Sequence, residues 1–520
     1  MHIQLQTITK NECLYLALLI MVNLIVGIAS LSDHGESWDE ARLYSYADQS
    51  IQAYQAIFDP KIPVDFGDDD LRYYGPAYLM GMSVLVQGFQ NLFPQVPRID
   101  LWHIGNFVCF QFGLICFYFL ARRFTITLPS LATTALISSQ PLLWGHGFIN
   151  PKDIPFMTFF MASILVGLKM LDVLEKKGYS LKTLMNNSWF YVAGIFLGLT
   201  VSIRILGLAA GIIVLFHLFL SNPHKALRLS YAYYGLALII SFLTWPYLWA
   251  SPVVNFLKSL YVMLKFQWVG HVLFDGVYYR TDQVPLTYFP QLFSMQLTET
   301  SLILFAAGFL MLFLTNLRKK HNDLIILILV WFIVPVTFIL VKGINLYDNT
   351  RQLLFIFPPV FLIISVGLEF LFVWLKTLWA QLLIILIIVS PGAAGTLKYH
   401  PFEYAYYNFF SDHTMQIFRN FETDYFATSY KEASAYLNEN APKNALIVVW
   451  GPSQIVQHYV RGDLQVKGFD DLKNTNYSNE PFYLVLSTRY ETDLRIYPDI
   501  HPIYSVEHNG SVLSVVKYIP

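Results

Sequence analysis

Charged residues are scarce in this chain. Asp, Glu, Lys and Arg together make up 13% of the 520 residues, whereas soluble globular domains carry about 25%. Hydrophobic residues account for 55%, and the mean hydropathy is +0.47. This composition excludes an ordinary soluble protein and indicates a membrane protein. The formal net charge of −1 and the lack of a basic run give no sign of a nucleic-acid partner.

Cysteine is also rare. Cys13, Cys109 and Cys116 all lie in apolar stretches, and the C-terminal part of the chain has none. We therefore expect neither a disulfide framework nor a metal site built from thiolates. The first apolar stretch has the length of a signal peptide, but LSDHGESWDE after it offers no good small-residue cleavage site. We interpret it as an uncleaved first membrane span.

Eleven apolar segments reach or approach the length that crosses a bilayer, roughly 17–25 residues. They lie at about 13–31, 102–121, 125–145, 154–171, 189–203, 205–221, 230–250, 300–316, 324–341, 353–375 and 378–396. Residues 76–93 are also apolar. We interpret them as a helix along the membrane surface, because counting them as a span would place Arg122 and Arg123 outside.

Basic residues in short loops mark the cytoplasmic side of a membrane protein. With the N-terminus inside, the inner loops hold Arg122-Arg123, Lys176-Lys177 with Lys182, Lys225 with Arg228, Arg318-Lys319-Lys320, and Lys376. The long loops and everything after residue 396 then lie outside. This asymmetry predicts a site at the outer face of a bacterial cytoplasmic (inner) membrane, or in the lumen of the endoplasmic reticulum if the source is a eukaryote.

The chain changes character after residue 396. The strand-like runs NALIVVWG, PFYLVLST and SVLSVVKY alternate with polar, helix-compatible stretches such as SYKEASAYLNEN. We therefore expect a transmembrane domain at 1–396, with a first outer loop at 32–101, and a small extracytoplasmic α/β domain at 397–520. Nothing in the pattern of that second domain indicates its role.

The first outer loop contains two adjacent acids, Asp39 and Glu40, in the sequence WDEARLYSY. An ionised carboxylate at a membrane edge is costly unless it is solvated or paired, and is therefore a candidate for function. The alternative is that Asp39 caps a helix beginning at Glu40. Neighbouring residues on a helix point about 100° apart. One acid would therefore work on a substrate, and the other would be structural or positioning.

A series of motifs resembles one family in order. After WDEARLYSY come RYYGPAYLMG, INPKDIPFMTFF, SIRILGL, TWPYLWASP with FQWVGHVLFDG, PLTYFPQ, YDNTRQLLFIFPP, HPFEYAYYN and FETDYFATSYKEA. Together, over about residues 13–435, they resemble the C-type membrane glycosyltransferases (GT-C fold), and among them the bacterial, protein O-mannosyltransferase-like members of glycosyltransferase family 39. The resemblance implies a polytopic α-helical membrane protein that takes a sugar from a polyprenyl-phosphate carrier.

By this resemblance Asp39 is the general base that takes a proton from the acceptor, and Glu40 is its partner in the motif. A carboxylate within hydrogen-bond reach can remove the proton of an attacking hydroxyl. A neighbouring acid would raise the pKa of Asp39 and make it a better base. Attack opposite to the phosphate inverts the anomeric centre. The resemblance also implies catalysis without a metal or another cofactor.

The departing phosphate needs cations, and arginine suits phosphate best. Arg351 precedes a predicted span, where the alternative is an arginine whose head reaches the interface. Arg204 lies between two apolar halves and is a site candidate or a partner of Asp39 or Glu40. Lys152 can reach a phosphate. Asp153 either pairs with Lys152 or the sugar hydroxyls, or caps the helix that follows.

Family members often carry an arginine just before the second span, where this chain has Trp102. His103 or Arg98 would then take its place, or the donor headgroup is held differently. Arg280 in the large outer loop contacts carrier or acceptor, or is simply solvated. Tyr74 is a candidate for stacking on a sugar or for lying at headgroup level.

Three acids in a row, Asp68-Asp69-Asp70, suit a divalent cation, but we interpret them as a solvated loop and expect no metal. A transporter or flippase for a lipid-linked sugar is the alternative function. Such proteins tend to have inverted repeats, and none is visible here. A structural subunit is a third possibility. The sugar stays open, and so does the acceptor, for which protein serine or threonine, lipid A and another envelope glycan are all compatible.

Overall fold

A computed structural model describes residues 9–67, 70–265, 270–314, 322–342, 345–472 and 481–520. Three features discussed above lie outside these ranges: residues 266–269 of the FQWV motif, the basic loop Arg318-Lys319-Lys320, and Asp68-Asp69. The described part is mostly helical, with one small sheet near the C-terminus.

The first fourteen helices, α1 to α14 in chain order, cover the predicted membrane domain as far as residue 314. They are Lys10–Ala29, Glu40–Phe58, Ala77–Leu92, Arg98–Ala121, Thr127–Ser138, Pro141–Ile149, Asp153–Lys177, Leu181–Met185, Ser188–Val201, Leu208–Ser221, Pro223–Leu243, Pro252–Leu264, Tyr288–Gln296 and Glu299–Leu314. Later helical segments are Asn322–Ile328, the π-helix Leu329–Ile333, Val334–Lys342, Pro358–Trp374 and Leu378–Tyr399. Short helices follow at Phe409–Thr414, Tyr430–Asn440, Ser453–Tyr459, Phe469–Leu472 and Thr492–Arg495.

Six helical stretches among the described residues are long and apolar enough to span a membrane, or seven if the bent pair α13 and α14 forms one span. The six are Lys10–Ala29, Arg98–Ala121, Asp153–Lys177, Pro223–Leu243, Leu324–Val341 and Leu378–Tyr399. Shorter apolar helices coincide with further predicted segments, such as Ser188–Val201 and Pro358–Trp374. The chain is therefore an integral, multi-pass membrane protein, whereas the number eleven stays a prediction.

One predicted segment, 125–145, is broken. The structure divides it into α5 and α6, with the break at Ser139 and Gln140. Pro141 opens α6 at the first helical position, where a missing N–H costs nothing, and it disfavours helical backbone at the preceding residue. Gln140 is buried, and its amide nitrogen donates to Thr298 and Ser301 near the start of α14.

The sheet near the C-terminus has five strands in the order β4-β3-β5-β7-β6. Its strands are Leu446–Val449, Gln465–Gly468, Phe482–Ser487, Tyr504–His508 and Ser511–Ile519, numbered β3 to β7 after the two-stranded hairpin His271–Phe274 and Val277–Arg280. The strand β3 is parallel to β4 and β5, and β7 is antiparallel to β5 and β6. The three strand-like runs and the helix Tyr430–Asn440 are thus confirmed.

Two helices of the segment 32–101, α2 and α3, pack side by side next to the acid pair. The helix α2 contacts α3, and α3 contacts α4. Gly75 lies just before α3, against the backbone of Ser202, where a Cβ atom would clash. The N–H of Ala77 also donates to the Ser202 carbonyl. These contacts fix the loop that carries Tyr74 beside the turn that carries Arg204.

Candidate active site

The acid pair lies at the beginning of α2. The helix starts at Glu40, and Asp39 occupies the position before it with helical backbone angles. Its side chain makes no hydrogen bond to the first turn of the helix. The capping alternative for Asp39 is therefore wrong, because its carboxylate points to other partners.

Two cations hold the Asp39 carboxylate. Arg351 Nη1 donates to Asp39 Oδ2 at 3.0 Å, and Lys152 Nζ lies 3.8 Å from the same oxygen. Burial alone would raise the pKa of Asp39, but Lys152 and Arg351 outweigh it and hold that pKa well below its usual range. The expectation that a neighbouring Glu40 raises the pKa of Asp39 is therefore wrong, because the net shift is downward. The side chain is 27% exposed, so small molecules can reach it.

Glu40 has a different environment. It is fully buried and accepts hydrogen bonds from the Ser37 N–H at 2.6 Å, from the Tyr44 hydroxyl, and from His103 Nε2 at 3.0 Å. Glu40 therefore fixes the backbone turn in front of α2. His103 is used in this closed cluster and is not placed to meet a phosphate.

A buried tryptophan occupies the position where members of the resembled family often carry an arginine. Trp102 is fully buried, and its ring stacks on Tyr44 at 4.0 Å between ring centroids. Arg98 pairs with Asp48 at 3.1 Å at the surface. The two residues proposed to take the place of that arginine, His103 and Arg98, are both held by acids other than Asp39, namely Glu40 and Asp48.

Arg351 is central to a line of alternating charges. Its Nη2 lies 2.6 Å from Asp348 Oδ2, and Arg489 Nη2 donates to Asp348 Oδ1 at 2.6 Å. Asp348 adopts left-handed backbone (φ +54°), as does Asn349 after it. Sequence reasoning missed Asp348 and Arg489. Asp348 lies three residues before Arg351 in YDNTR, which is a visible signal, whereas Arg489 is 138 positions farther along and offers none.

Lys152 and Arg204 both lie near the ring of Tyr74. The Tyr74 ring centroid is 5.1 Å from Lys152 Nζ and 5.8 Å from the Arg204 guanidinium carbon, within the range of cation–π contact. Arg204 forms an ion pair with Asp153 rather than with Asp39 or Glu40.

The capping role proposed for Asp153 belongs to Asn150. The Asn150 side-chain oxygen accepts from the N–H of Lys152 at 3.2 Å and of Asp153 at 2.9 Å, at the start of α7. Its amide nitrogen donates to the Asp153 carboxylate at 2.9 Å. Asp153 is thereby held between Asn150 and Arg204 and is buried.

A cavity of about 580 Å³ opens next to Asp39. Four residues proposed from the sequence line it: Asp39, Tyr74, Lys152 and Arg351. The remaining proposed residues, Glu40, His103, Asp153, Arg204 and Arg280, do not line it. Arg280 is 48% exposed and pairs with its neighbour Asp282 at 3.0 Å.

The C-terminal sheet region forms one wall of this cavity. Trp450, Phe469, Asp470, Arg489 and Tyr490 line it together with the segments that carry Lys152 and Arg351. The rings of Trp38 and Trp450 meet edge to face at 5.9 Å. Gly451 has φ +82°, and a Cβ there would collide with the Trp38 ring. The domain whose role the sequence left open is therefore part of the candidate site.

The arrangement combines three chemical capacities. Lys152 and Arg351 carry positive charge from separate segments into one partly buried cavity, which suits an anionic phosphate. Asp39 is an ionised carboxylate between them and can accept a proton. Aromatic rings at Tyr74, Trp450 and Tyr490 offer flat apolar surfaces to a sugar.

The fold is that of the C-type glycosyltransferases. The crystal structure of ArnT from Cupriavidus metallidurans in the apo state matches with a TM-score of 0.54 and 11% identity, over 96% of this chain and 97% of that one. The structure of the same protein bound to undecaprenyl phosphate matches with a TM-score of 0.53 and 12% identity, over the same shares. No protein-family model matches this chain, and a search of curated proteins gives no match. The likeness confirms the fold, and the subfamily stays a prediction.

Proposed function

We propose that this protein is an inverting glycosyltransferase that moves a sugar from a polyprenyl-phosphate carrier to an acceptor hydroxyl, with Asp39 as general base. The observation that carries the proposal is the cavity in which the Asp39 carboxylate lies between Arg351 and Lys152. The structural neighbour bound to undecaprenyl phosphate supports a carrier of the same class. Within this class, the sequence motifs favour the O-mannosyltransferase-like family 39.

In this proposal the cations serve the substrate and the base in turn. Without carrier, Arg351 and Lys152 neutralise Asp39. A carrier phosphate competes for both cations, because its oxygens accept the same hydrogen bonds. Asp39 then loses part of the positive charge that stabilises its ionised form. Its pKa therefore rises from its lowered value toward the range of a working base. Donor binding thus prepares the base.

The transfer is a single displacement. The acceptor oxygen forms a bond to the anomeric carbon as its proton moves to the Asp39 carboxylate, and the bond from that carbon to the phosphate oxygen breaks with its electron pair. Arg351 and Lys152 stabilise the charge that develops on the departing phosphate. Asp348 holds Arg351 from the other side, so the guanidinium keeps its orientation when Asp39 takes the proton.

The other proposed residues take supporting roles. Tyr74 lies near Lys152 and Arg204 and offers its ring to the sugar. Arg204 and Asp153 hold the α7 terminus that carries Lys152. Glu40 and His103 fix the turn that carries Asp39. Arg280 lies outside the cavity, which leaves it at most a contact with carrier or acceptor at the surface.

The location follows from the predicted topology. We place the protein in a bacterial cytoplasmic (inner) membrane, or in the endoplasmic reticulum membrane of a eukaryote, with the cavity and the C-terminal domain on the outer or lumenal side. The acceptor, a protein, lipid or glycan, then approaches from that side, where Trp450 and Tyr490 of the C-terminal domain line the cavity. We expect no metal in the transfer, so Mg²⁺ or Mn²⁺ added to the assay leaves the rate unchanged.

The test is single-turnover transfer in proteoliposomes from a panel of radiolabelled polyprenyl-phosphate sugars. Wild type is compared with Asp39→Asn and with the control Asp282→Asn, which changes an exposed outer acid beside Arg280. Transfer by wild type and control alone supports the class and the base, and the productive donor names the sugar. Equal transfer by all three removes Asp39 from the mechanism. Carrier binding without any transfer favours the flippase alternative.

A further inference from the structure

A second cluster of polar side chains lies outside the Asp39 cavity. His34 follows the end of α1, and His400 and Glu403 follow the long helix Leu378–Tyr399. One ligand atom from each of the three residues can be chosen so that all lie within 4.8 Å of one another. His34 and Glu403 are buried, and the His400 side chain is 29% exposed. The cluster connects the first and last long helices at one end.

The hydrogen bonds of His34 fix its tautomer. His34 Nδ1 lies 3.0 Å from the Ser30 carbonyl oxygen, which can only accept, so Nδ1 carries the hydrogen. In the neutral ring Nε2 then bears the lone pair. This atom lies 3.2 Å from Glu403 Oε2, which is itself an acceptor when ionised.

In His400 the two ring nitrogens have the opposite roles to those in His34: Nε2 donates outward and Nδ1 faces Glu403. Its Nε2 lies 3.0 Å from Asp33 Oδ2 and donates to that carboxylate. Its Nδ1 lies 2.8 Å from Glu403 Oε1. Two imidazole lone pairs and one carboxylate therefore converge, and each ring donates its outer N–H to an oxygen. This is the outer hydrogen bonding that orients histidines as metal ligands.

Glu403 is held in position by packing that does not depend on a ligand. Gly145 of α6 lies against the backbone of Glu403 and Tyr404, where a Cβ atom would clash. The His34 ring stacks on Phe148 of the same helix, with 4.1 Å between ring centroids. The ligand atoms are thus brought together in advance of any ion.

We propose that His34 Nε2, His400 Nδ1 and the Glu403 carboxylate bind one divalent transition-metal ion, of which zinc fits the donor set best. Two imidazoles and one carboxylate are a common zinc ligand set, and partial exposure at His400 leaves a fourth position for water. With Asp33 the cluster carries two negative charges when both rings are neutral, which balances Zn²⁺. None of the three ligands lines the Asp39 cavity, so the metal takes no part in transfer. Its role is structural, because it holds together the segments that follow the first and last long helices.

The test is metal analysis of the full-length protein purified in detergent without chelators, together with its melting temperature. Wild type and the control His413→Gln, an exposed histidine elsewhere in the C-terminal part, are expected to hold about one zinc per chain. Glu403→Gln and His34→Gln are expected to lose it. Asp33→Asn keeps all three ligands but weakens the hydrogen bond that orients His400. It is expected to bind zinc roughly 10- to 100-fold more weakly. Its zinc affinity can be measured even if a ligand variant fails to fold.

Zinc returned to chelator-treated wild type is expected to raise its melting temperature, and Glu403→Gln to show no such rise. The proposal is overturned if wild type holds no metal and added zinc does not stabilise it. It is also overturned if Glu403→Gln holds as much zinc as wild type.

Discussion

Asp39 and Glu40 are neighbours with the same functional group, yet their surroundings are opposite. Asp39 borders an open cavity and is compensated by two full positive charges, Arg351 and Lys152. Glu40 is enclosed and is held by the Ser37 N–H, the Tyr44 hydroxyl and His103. The partners of Asp39 can turn to a bound anion, whereas those of Glu40 belong to a closed packing arrangement. The comparison separates a carboxylate available for chemistry from one that builds the structure.

The largest expected effect is that of Asp39→Asn, which removes the proposed base and keeps the shape. We expect single-turnover transfer to fall roughly 10²- to 10⁴-fold, the range for loss of general-base catalysis. Carrier binding should be kept or tightened, because Arg351 and Lys152 no longer neutralise a carboxylate. Transfer kinetics and carrier titration measure both effects. Weaker carrier binding would contradict the exchange of partners that we propose.

Arg351→Lys tests the cationic side of the comparison. A lysine keeps the charge but cannot bridge Asp39 and Asp348 with a planar fork. We expect kcat/KM for the donor to fall roughly 10- to 100-fold, mainly through KM, because orientation of the phosphate is lost. Arg280→Lys, in an exposed pair, is the matched control and should stay within about twofold of wild type. An unchanged KM for Arg351→Lys would place the phosphate elsewhere.

Glu40→Gln should affect stability more than chemistry. The charge-assisted hydrogen bonds to the buried carboxylate weaken, at a cost of about 1.5–3 kcal/mol in the free energy of unfolding. The melting temperature in detergent is expected to fall, and the pH profile of the remaining transfer should match that of wild type, since Asp39 still acts. A rate as low as that of Asp39→Asn at an unchanged melting temperature would move the base to Glu40.

The smallest expected effect concerns Glu36, a third acid of the same loop. Burial, with the charge of Glu40 added, raises the pKa of Glu36 to about 8. The folded state therefore holds a proton that the unfolded chain releases near its ordinary pKa. This contribution to stability is complete below the ordinary pKa of 4.5, falls as the pH rises above it, and is lost once the pH passes about 8. Glu36→Gln should flatten the dependence of melting temperature on pH in that range, and a parallel curve would contradict the raised pKa.

Sequence patterns predicted the elements well where a single segment decides them. The strand β3, the helix Tyr430–Asn440 and the apolar helix α4 all follow from local periodicity. The break at Gln140 was missed, although Pro141 is a visible signal for it. Apolar composition shows that a run is long enough to cross a membrane, but it does not show where the helix breaks.

For the candidate site, sequence patterns indicate several of the residues but not the contacts between them. Asp39, Lys152 and Arg351 were proposed from three separate motifs, and the structure brings them together. The lowered pKa of Asp39 was not predictable, because it depends on distances between segments far apart in the sequence. The same holds for Arg489, whose contact with Asp348 joins the C-terminal part to the cavity.

The wall formed by Trp450 and Tyr490 has a consequence for biosynthesis. A ribosome synthesises residues 39, 152 and 351 well before residues 450–490, so the growing chain carries the charged residues before their enclosing wall exists. Until the last part has folded, Trp38 lacks its neighbour Gly451, and Asp348 lacks Arg489. The cavity is therefore completed last, once residues 450–490 have folded against segments that were synthesised long before them.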